Sequence, residues 1–413
     1  MKSTHRKEAP KRHCMIVHAH YPIGEVRVER EALALIDRGY EVDVICLQNA
    51  GEPAIDVADG VNIYRLPVSR NKERGRLFQF LEYMTFLILA FGKVLSLHLR
   101  RRYGVVQAHN LPDFLVFAAL GPKLMGARVI LDIHDLMSDF YAAQITNKVG
   151  KRLLPLVILQ ERLSCSFADH VITVTEVWRQ TLISRGIPPE KISVVMNVAD
   201  PRIFHRNGNG KSPDKANGRF EIIYHGTMTH RYGIDLIIRA VHKVRSTLSE
   251  VHLSLIGRGE ARNDLEMLTK ELGLEDCVEF SQQVVHVSKL PHLIEQAHVG
   301  VVPNRNDLFT GELLPTKLME YVALGTPVIA ARTRTISTYF DDSMVMFFRP
   351  DDADDLANCI LTLHQHREKL ESLAHNADKF NQKYNWAKVS AEYVALVDRL
   401  NQNRPNQQSS IAQ

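Results

Sequence analysis

Two glutamates eight positions apart, Glu312 and Glu320, lie in the stretch TGELLPTKLMEYVALGTPVIA at 310–330. Pro315 suits the first turn of a helix, where a missing N–H is no loss, and the apolar rhythm of Leu318, Met319, Val322 and Ala323 carries that helix to Gly325. The start of such a helix offers unpaired amide N–H groups and the positive end of the helix dipole, which together suit a diphosphate. Lys317 adds a candidate point charge. Glu320 falls five residues beyond Pro315, about 7.5 Å along the axis, which is roughly the separation of a nucleotide's diphosphate from its ribose hydroxyls. Glu312, ahead of the helix, is then on the sugar side, and Leu314, Pro315 and Thr316 at the helix start belong to the same donor site.

Three further residues sit where strands end. His134 closes the apolar run VILDIH, at the edge where parallel sheets present ligands. Arg231 lies in the loop that follows the strand-like EIIYHG. Gly24 follows the first strand, and its missing side chain lets backbone approach a ligand closely. Other patterns read as structural. His18 and His20 share one face of the first strand, but no third metal ligand is evident nearby. Gly257 and Gly259 in LIGRGEAR begin a dinucleotide-type pattern whose third glycine is replaced by Arg262, so they are read as a tight strand-to-helix turn. Asp352 and Asp354 directly precede the helical LANCILTLH and are read as its cap rather than as a metal-binding pair.

These residues require a scaffold of strands separated by helices. Strand-like runs at 15–18, 42–47, 105–108, 129–133 and 171–174 alternate with helical patterns at 29–38 and 114–125, which implies parallel sheets with right-handed crossovers. The alternation breaks at HRNGNGKSPDKANG, 205–218, and restarts with EIIYHG. A domain over 1–204, a linker over 205–218 and a second domain over 219–385 follow. The segment 386–403 reads as a last helix packing back towards the first domain, and 404–413 as a polar disordered tail.

A chain of 413 residues, 45% apolar and 24% charged, has material for two cores. The net charge of +4 suits acidic small-molecule or lipid partners and does not point to nucleic acid. The five cysteines are scattered without a CxxC spacing, which favours a reducing, cytoplasmic home. The hydrophobic run Leu77–Leu97 is interrupted by Glu82 and Lys93 and is expected to be too short to span a bilayer. Between Arg65 and Gly104, nine basic residues (Arg65, Arg70, Lys72, Arg74, Arg76, Lys93, Arg100, Arg101, Arg102) face two acidic ones, Glu73 and Glu82. Interleaved with Leu77, Phe78, Phe80, Leu81 and Tyr83, they predict a contact with an anionic membrane surface.

The Glu312/Glu320 pair, with HNLPDFLVFAAL at 109–120, LDIHDL at 131–136, VVMNVADPRIF at 194–204, YHGTMTHRYGIDL at 224–236 and LIGRG at 255–259, resembles the family 4 retaining glycosyltransferases, most of all the branch of bacterial surface-polysaccharide assembly. The resemblance runs along nearly the whole chain. It implies an α/β chain of the GT-B fold, with two Rossmann-like domains facing each other across a cleft. It also implies transfer from a nucleotide sugar, UDP before GDP, to a glycan or lipid-linked acceptor with retention of configuration, no metal and no other cofactor. By the same resemblance Glu312 contacts donor-sugar hydroxyls, Glu320 the ribose, His134 the sugar, and Arg231 the pyrophosphate. Where many relatives have Gly-Phe-Gly after the first glutamate this chain has Leu313, Leu314 and Pro315, and where many have Lys-Gly it has Tyr232 and Gly233. Charge neutralisation therefore rests on Arg231 and Lys317. Two rival readings share these motifs: a nucleotide-sugar epimerase, which needs no acceptor, and a nucleotide-sugar-binding protein without turnover.

Overall fold

The computed structural model describes residues 10–70, 75–143, 148–206 and 218–402. Most of the expected linker (207–217) and the expected tail lie outside the described residues. The chain divides into two compact units, one formed by Met1–Met196 with Ala387–Gln413 and the other by Asn197–Trp386.

In the N-terminal unit eight strands form one sheet: β1 (Arg12–His20), β2 (Glu41–Leu47), β3 (Ile55–Ala58), β4 (Val61–Leu66), β5 (Val105–His109), β6 (Arg128–Ile133), β7 (His170–Thr173) and β8 (Ile192–Val194), in the order β3-β4-β2-β1-β5-β6-β7-β8. All neighbours are parallel except β3 and β4. The β3–β4 hairpin is an addition to the expected strands. Its turn is Asp59-Gly60, both at positive φ (49° and 81°), a two-residue Asp-Gly hairpin signal that the sequence carries openly. The central strands are buried on both faces, as a parallel sheet covered by helices demands.

The C-terminal unit has six parallel strands, β9 (Phe220–His225), β10 (Val251–Ile256), β11 (Val278–Phe280), β12 (Val299–Val302), β13 (Val328–Ala331) and β14 (Met346–Phe348), ordered β11-β10-β9-β12-β13-β14. Counted from β9, that is the 3-2-1-4-5-6 order of a doubly wound dinucleotide-type sheet. Its core gathers Ile222, Tyr224, Ile237, Val241, Leu253, Val301 and Ile329. Gly257 does what the turn reading asked of it. At φ +147° it lets the β10 loop pass under the β9 loop, and a Cβ there would stand 1.9 Å from the carbonyl oxygen of Gly226.

Three expectations change. Residues 197–206 belong with the C-terminal unit, so its boundary precedes the expected linker: Phe204 is buried, and Arg206 holds Asp378 through two hydrogen bonds of 2.7 and 3.0 Å. The pattern at 114–125 resolves into a 3-10 turn, Asp113–Ala119, followed by a short helix, Leu120–Leu124. Instead of a broken apolar run, residues 76–101 form one continuous helix, Arg76–Arg101, of which Leu77–Arg101 is long and apolar enough to cross a membrane by length and composition. It is nonetheless part of this unit, with Phe86, Ala90 and Val94 fully buried. The helix Trp386–Gln402 is tied to the same unit by Asp398, which accepts from Lys11 (2.6 Å) and Tyr40 (2.7 Å).

Candidate active site

The order of the C-terminal sheet reverses between β9 and β12, and the loops leaving those two strands carry most of the expected donor residues. After β9 comes the 3-10 turn His230–Tyr232, which presents Arg231. After β12 comes the turn Thr310–Glu312, which presents Glu312, and then the helix Thr316–Leu324. The loops touch backbone to backbone. A Cβ on Gly233 would meet the Pro303 carbonyl oxygen at 2.3 Å, and Arg305 bridges the loops by donating to the His230 carbonyl (3.2 Å) and, through both oxygens, to Asp235 (2.8 and 2.9 Å). Asp307 sets the second turn by accepting from the amides of Phe309 (2.8 Å) and Thr310 (2.7 Å).

Within this frame, the Arg231 guanidinium lies 5.5 Å from the centre of the Phe309 ring. Glu312 accepts from Arg334 (3.2 Å) through Oε1, while its buried Oε2 makes no hydrogen bond among the described residues. Pro315 stands one position earlier than expected, as the extended residue just before the helix (φ −67°, ψ 128°). No side chain caps that helix and the Leu318 amide turns back to the Pro315 carbonyl (3.1 Å), so the amides of Thr316 and Lys317 remain for another acceptor. Glu320 is turned towards the sheet, its Oε2 3.2 Å from His225 Nε2.

Lys317 is less accessible than the sequence suggested. Only 8% exposed, it donates to the Tyr224 hydroxyl (2.8 Å) and sits 4.0 and 4.9 Å from the centres of the Tyr224 and Tyr232 rings. Its Nζ lies 3.3 Å from where a Cβ on Gly226 would stand, directly beneath the β9 loop. Burial brings its pKa down to about 7, with Glu320 acting in the opposite direction. His225, buried beside it, is pushed down to about 3 by desolvation and then by Lys317, and stays neutral.

The N-terminal sheet reverses between β1 and β5. Gly24 (φ +102°) lies in the loop after β1 with open space where a Cβ would go, just ahead of the helix Val26–Asp37. His134 follows β6, its amide donating to Asn110 Oδ1 (2.7 Å). Beneath it is a buried polar cluster that sequence reasoning missed. His134 Nε2 lies 3.1 Å from His109 Nδ1, and both approach Asp132 Oδ2, at 3.4 and 3.3 Å. Arg27 clamps Asp132 through two hydrogen bonds (2.9 and 3.1 Å) and also reaches Glu31 (3.0 Å). Gln107 joins Glu31 (2.7 Å) to the cluster, and Tyr393 from the C-terminal helix donates to Gln107 (2.7 Å). The only signal in the sequence was polarity at inward positions of apolar strands, in VVQAH and VILDIH.

His109, Asp132 and His134 hold three potential ligand atoms within 4.8 Å of one another. Asp132 Oδ2 accepts from Arg27 Nε (3.1 Å) and Gln107 Nε2 (3.3 Å) besides its histidine contacts, whereas the buried His109 Nε2 has no hydrogen-bond partner among the described residues. Burial keeps Glu31 protonated well above the usual carboxylate range, whereas Arg27 and the two histidines hold Asp132 ionised against its own burial. One charge therefore balances one charge. His18 Nε2 is buried 3.1 Å from Glu82, and Asp352 Oδ1 caps its helix by accepting from the amides of Asp354 (3.0 Å) and Asp355 (2.9 Å).

Residues 24–197 match the family described as "Glycosyl transferase 4-like domain" and residues 207–380 the family described as "Glycosyl transferases group 1". The chain belongs to this family, the family 4 glycosyltransferases, and its fold is GT-B. It is 24% identical over 381 residues to the amylovoran biosynthesis glycosyltransferase AmsK of Erwinia amylovora, covering 84% of this chain and 89% of that protein. It is 25% identical over 387 residues to an uncharacterized glycosyltransferase of Methanocaldococcus jannaschii, covering 90% of this chain and 93% of that protein. Among solved structures, sucrose-phosphate synthase from Thermosynechococcus elongatus superposes with a TM-score of 0.76 at 18% identity, over 94% of this chain and 99% of that one. Anabaena HepE in complex with UDP-glucose gives 0.69 at 15%, over 94% and 99%.

The buried cluster yields a ranking of stabilities. Arg27→Met strands the ionised Asp132 without a partner and is expected to cost about 3–5 kcal/mol. Asp132→Asn should cost less, because Glu31 can ionise and take over as the partner of Arg27. Urea unfolding of both variants checks this, and equal losses would mean that Glu31 does not take up the charge.

Proposed function

We propose that this glycosyltransferase moves a sugar from a nucleoside-diphosphate sugar, UDP before GDP, to a glycan or lipid-linked acceptor in polysaccharide biosynthesis, with retention of anomeric configuration and without a metal ion. The observation that carries the reading is the convergence of Arg231, Glu312, Lys317 and an uncapped helix start on the two loops flanking the reversal of the C-terminal sheet, the position where doubly wound sheets bind nucleotides. The names of the relatives support it: AmsK is an amylovoran biosynthesis enzyme, WcaL of Salmonella typhimurium a putative colanic acid one, and HepE is described with UDP and with UDP-glucose.

In this reading the diphosphate is held by the first amides of the helix Thr316–Leu324 and by Arg231, with Lys317 below. These groups carry the charge that a divalent ion carries in other sugar transferases. Glu312 binds donor-sugar hydroxyls and Glu320 the ribose; His134 keeps the sugar contact that the resemblance gave it, and Gly24 lets backbone approach the diphosphate. In the transfer itself, the bond from the anomeric carbon to the diphosphate oxygen breaks, the acceptor oxygen bonds to that carbon on the same face, and the acceptor proton passes to the departing diphosphate. The protein contributes positioning and stabilisation of the leaving charge. The acceptor is met at the cytoplasmic face of a membrane, which the N-terminal unit approaches through residues 65–104.

That membrane contact uses fewer cations than the sequence count. Arg65 is buried in ion pairs with Glu52 (3.1 Å) and Asp56 (3.0 Å), Arg101 pairs with Asp43, and Lys93 lies over the Tyr64 ring (4.6 Å). Lys72 and Arg74 lie outside the described residues, as does the Arg76 side chain. Arg70, Arg100 and Arg102 are exposed.

Glu312→Ala should lower the transfer rate on the order of a hundredfold or more with little change in melting temperature, because, among the described residues, the side chain's one partner is the exposed Arg334 and its Oε2 has no hydrogen bond to lose. The wild type should retain full activity in EDTA. Transfer assayed with and without chelator, beside a thermal melt, tests both; activity restored only by added Mg²⁺ or Mn²⁺ would remove the metal-free mechanism.

Lys317 predicts a pH effect of defined sign. Below about 7 it enters the complex already charged; above that pH a diphosphate must draw a proton onto it. Affinity for a UDP-sugar should then fall by up to about tenfold per pH unit above neutrality, and Lys317→Met should flatten the slope. Calorimetry between pH 6 and 9 reads this, and an unchanged slope in the variant would place the titration elsewhere.

A further inference from the structure

The helix Lys148–Phe167, which carries no recognised motif, repeats a pattern seen in the helix Arg76–Arg101. Each contains a single acidic residue, and each turns it inwards. Glu82 lies 3.1 Å from the buried His18, and Glu161 is buried against Arg185 (2.8 Å) and Ser138 (2.7 Å). What remains outward is apolar, cationic or neutral polar, with no further acid among the described residues of either helix. On the helix Lys148–Phe167, Leu153, Leu156, Leu159 and Leu163 are 43–59% exposed, with Arg152 and Arg162 exposed beside them. Leu156, Leu159 and Leu163 follow the i, i+3, i+7 spacing of one helix face.

The two helices flank a common segment. Phe114 packs against Phe80 and Tyr83 of the first helix (ring centres 6.5 and 6.4 Å apart), and Phe117 packs against Phe167 of the second (5.0 Å). That segment ends in Leu124, 80% exposed. Soluble monomers seldom expose apolar surface over three neighbouring elements, and here it is rimmed by cations with no outward acid on either helix. An acyl layer beneath anionic headgroups matches both properties: leucines enter the layer and arginines stay at the phosphates.

We propose that the helix Lys148–Phe167 is a second lipid-binding element, so that the N-terminal unit docks on an anionic bilayer through two helices rather than through residues 65–104 alone. The proposal rests on the reading that the enzyme works at a membrane, and the test separates the two. The full-length protein is floated with vesicles of phosphatidylcholine alone and of phosphatidylcholine mixed with phosphatidylglycerol, as wild type, as L77E/F78E/L81E and as L156E/L159E/L163E. The wild type is expected to float with the anionic vesicles and to be released by salt, and each triple variant to bind at least tenfold more weakly with an unchanged melting temperature. A Leu159→Trp variant should shift its emission to the blue on adding anionic vesicles, which reports insertion even if a triple variant folds poorly. If the first triple variant loses binding while L156E/L159E/L163E floats like wild type and the emission of the Leu159→Trp variant does not shift, the second element is wrong and docking through residues 65–104 stands. A wild type that never floats overturns both. If the wild type instead forms an oligomer in solution that L156E/L159E/L163E dissociates, the face is a protein interface and the lipid assignment fails.

Discussion

The strand order of each sheet reverses once, between β1 and β5 in the N-terminal unit and between β9 and β12 in the C-terminal unit. In a parallel sheet, crossovers on either side of such a reversal leave towards opposite faces, so the loops there diverge and leave a crevice at the carboxyl ends of the strands. Three of the residues assigned to the donor leave strands at the reversals themselves, and His134 leaves the next strand along. Gly24 follows β1, His134 closes β6 next to β5, Arg231 follows β9 and Glu312 follows β12. Glycine is required where two loops of the C-terminal unit pass within backbone contact, Gly257 under Gly226 and Gly233 beside Pro303.

Polar groups behind the crevices are buried, and burial selects their charge state. In the N-terminal unit, Arg27 is shared by two carboxylates, of which only Asp132 keeps its charge. His109 and His134 therefore stand against a fixed anion that holds their rings in place. In the C-terminal unit the opposite device appears: Lys317, enclosed by two tyrosine rings, is poised between charged and neutral. A cation paired with a protein carboxylate would have its charge already spent, whereas one held near neutrality can respond to an arriving phosphate.

The fold class and the main motifs were legible because they depend on local rhythm. The run Ile234–Val244 reads as a helix from its apolar spacing, and the Thr316–Leu324 helix from Pro315 and Gly325. The cluster around Asp132 was not legible, because most of its contacts join side chains 25 or more positions apart in the chain, and no local pattern announces that Tyr393 will reach Gln107, 286 positions away. The domain boundary failed for a related reason: residues 197–206 look like the approach to a polar linker, but Phe204 and Arg206 find partners on the C-terminal unit.

The helix Arg76–Arg101 shows where counting charges along a sequence misleads. Glu82 and Lys93 interrupt its apolar run on paper, yet in the fold they turn towards His18 and the Tyr64 ring, so they interrupt nothing on the outer face. The count of nine cations errs in the other direction, since Arg65 and Arg101 are neutralised by carboxylates of the same unit. What the outside meets is decided by side-chain direction: leucines and phenylalanines on the surface, with acids folded under. The same rule exposes the leucines of the helix Lys148–Phe167, whose interrupting Glu161 is likewise turned in. Both surfaces follow from sheet packing, because a helix laid against a parallel sheet must place its few polar groups either at a partner beneath it or in water, and here the acids have partners.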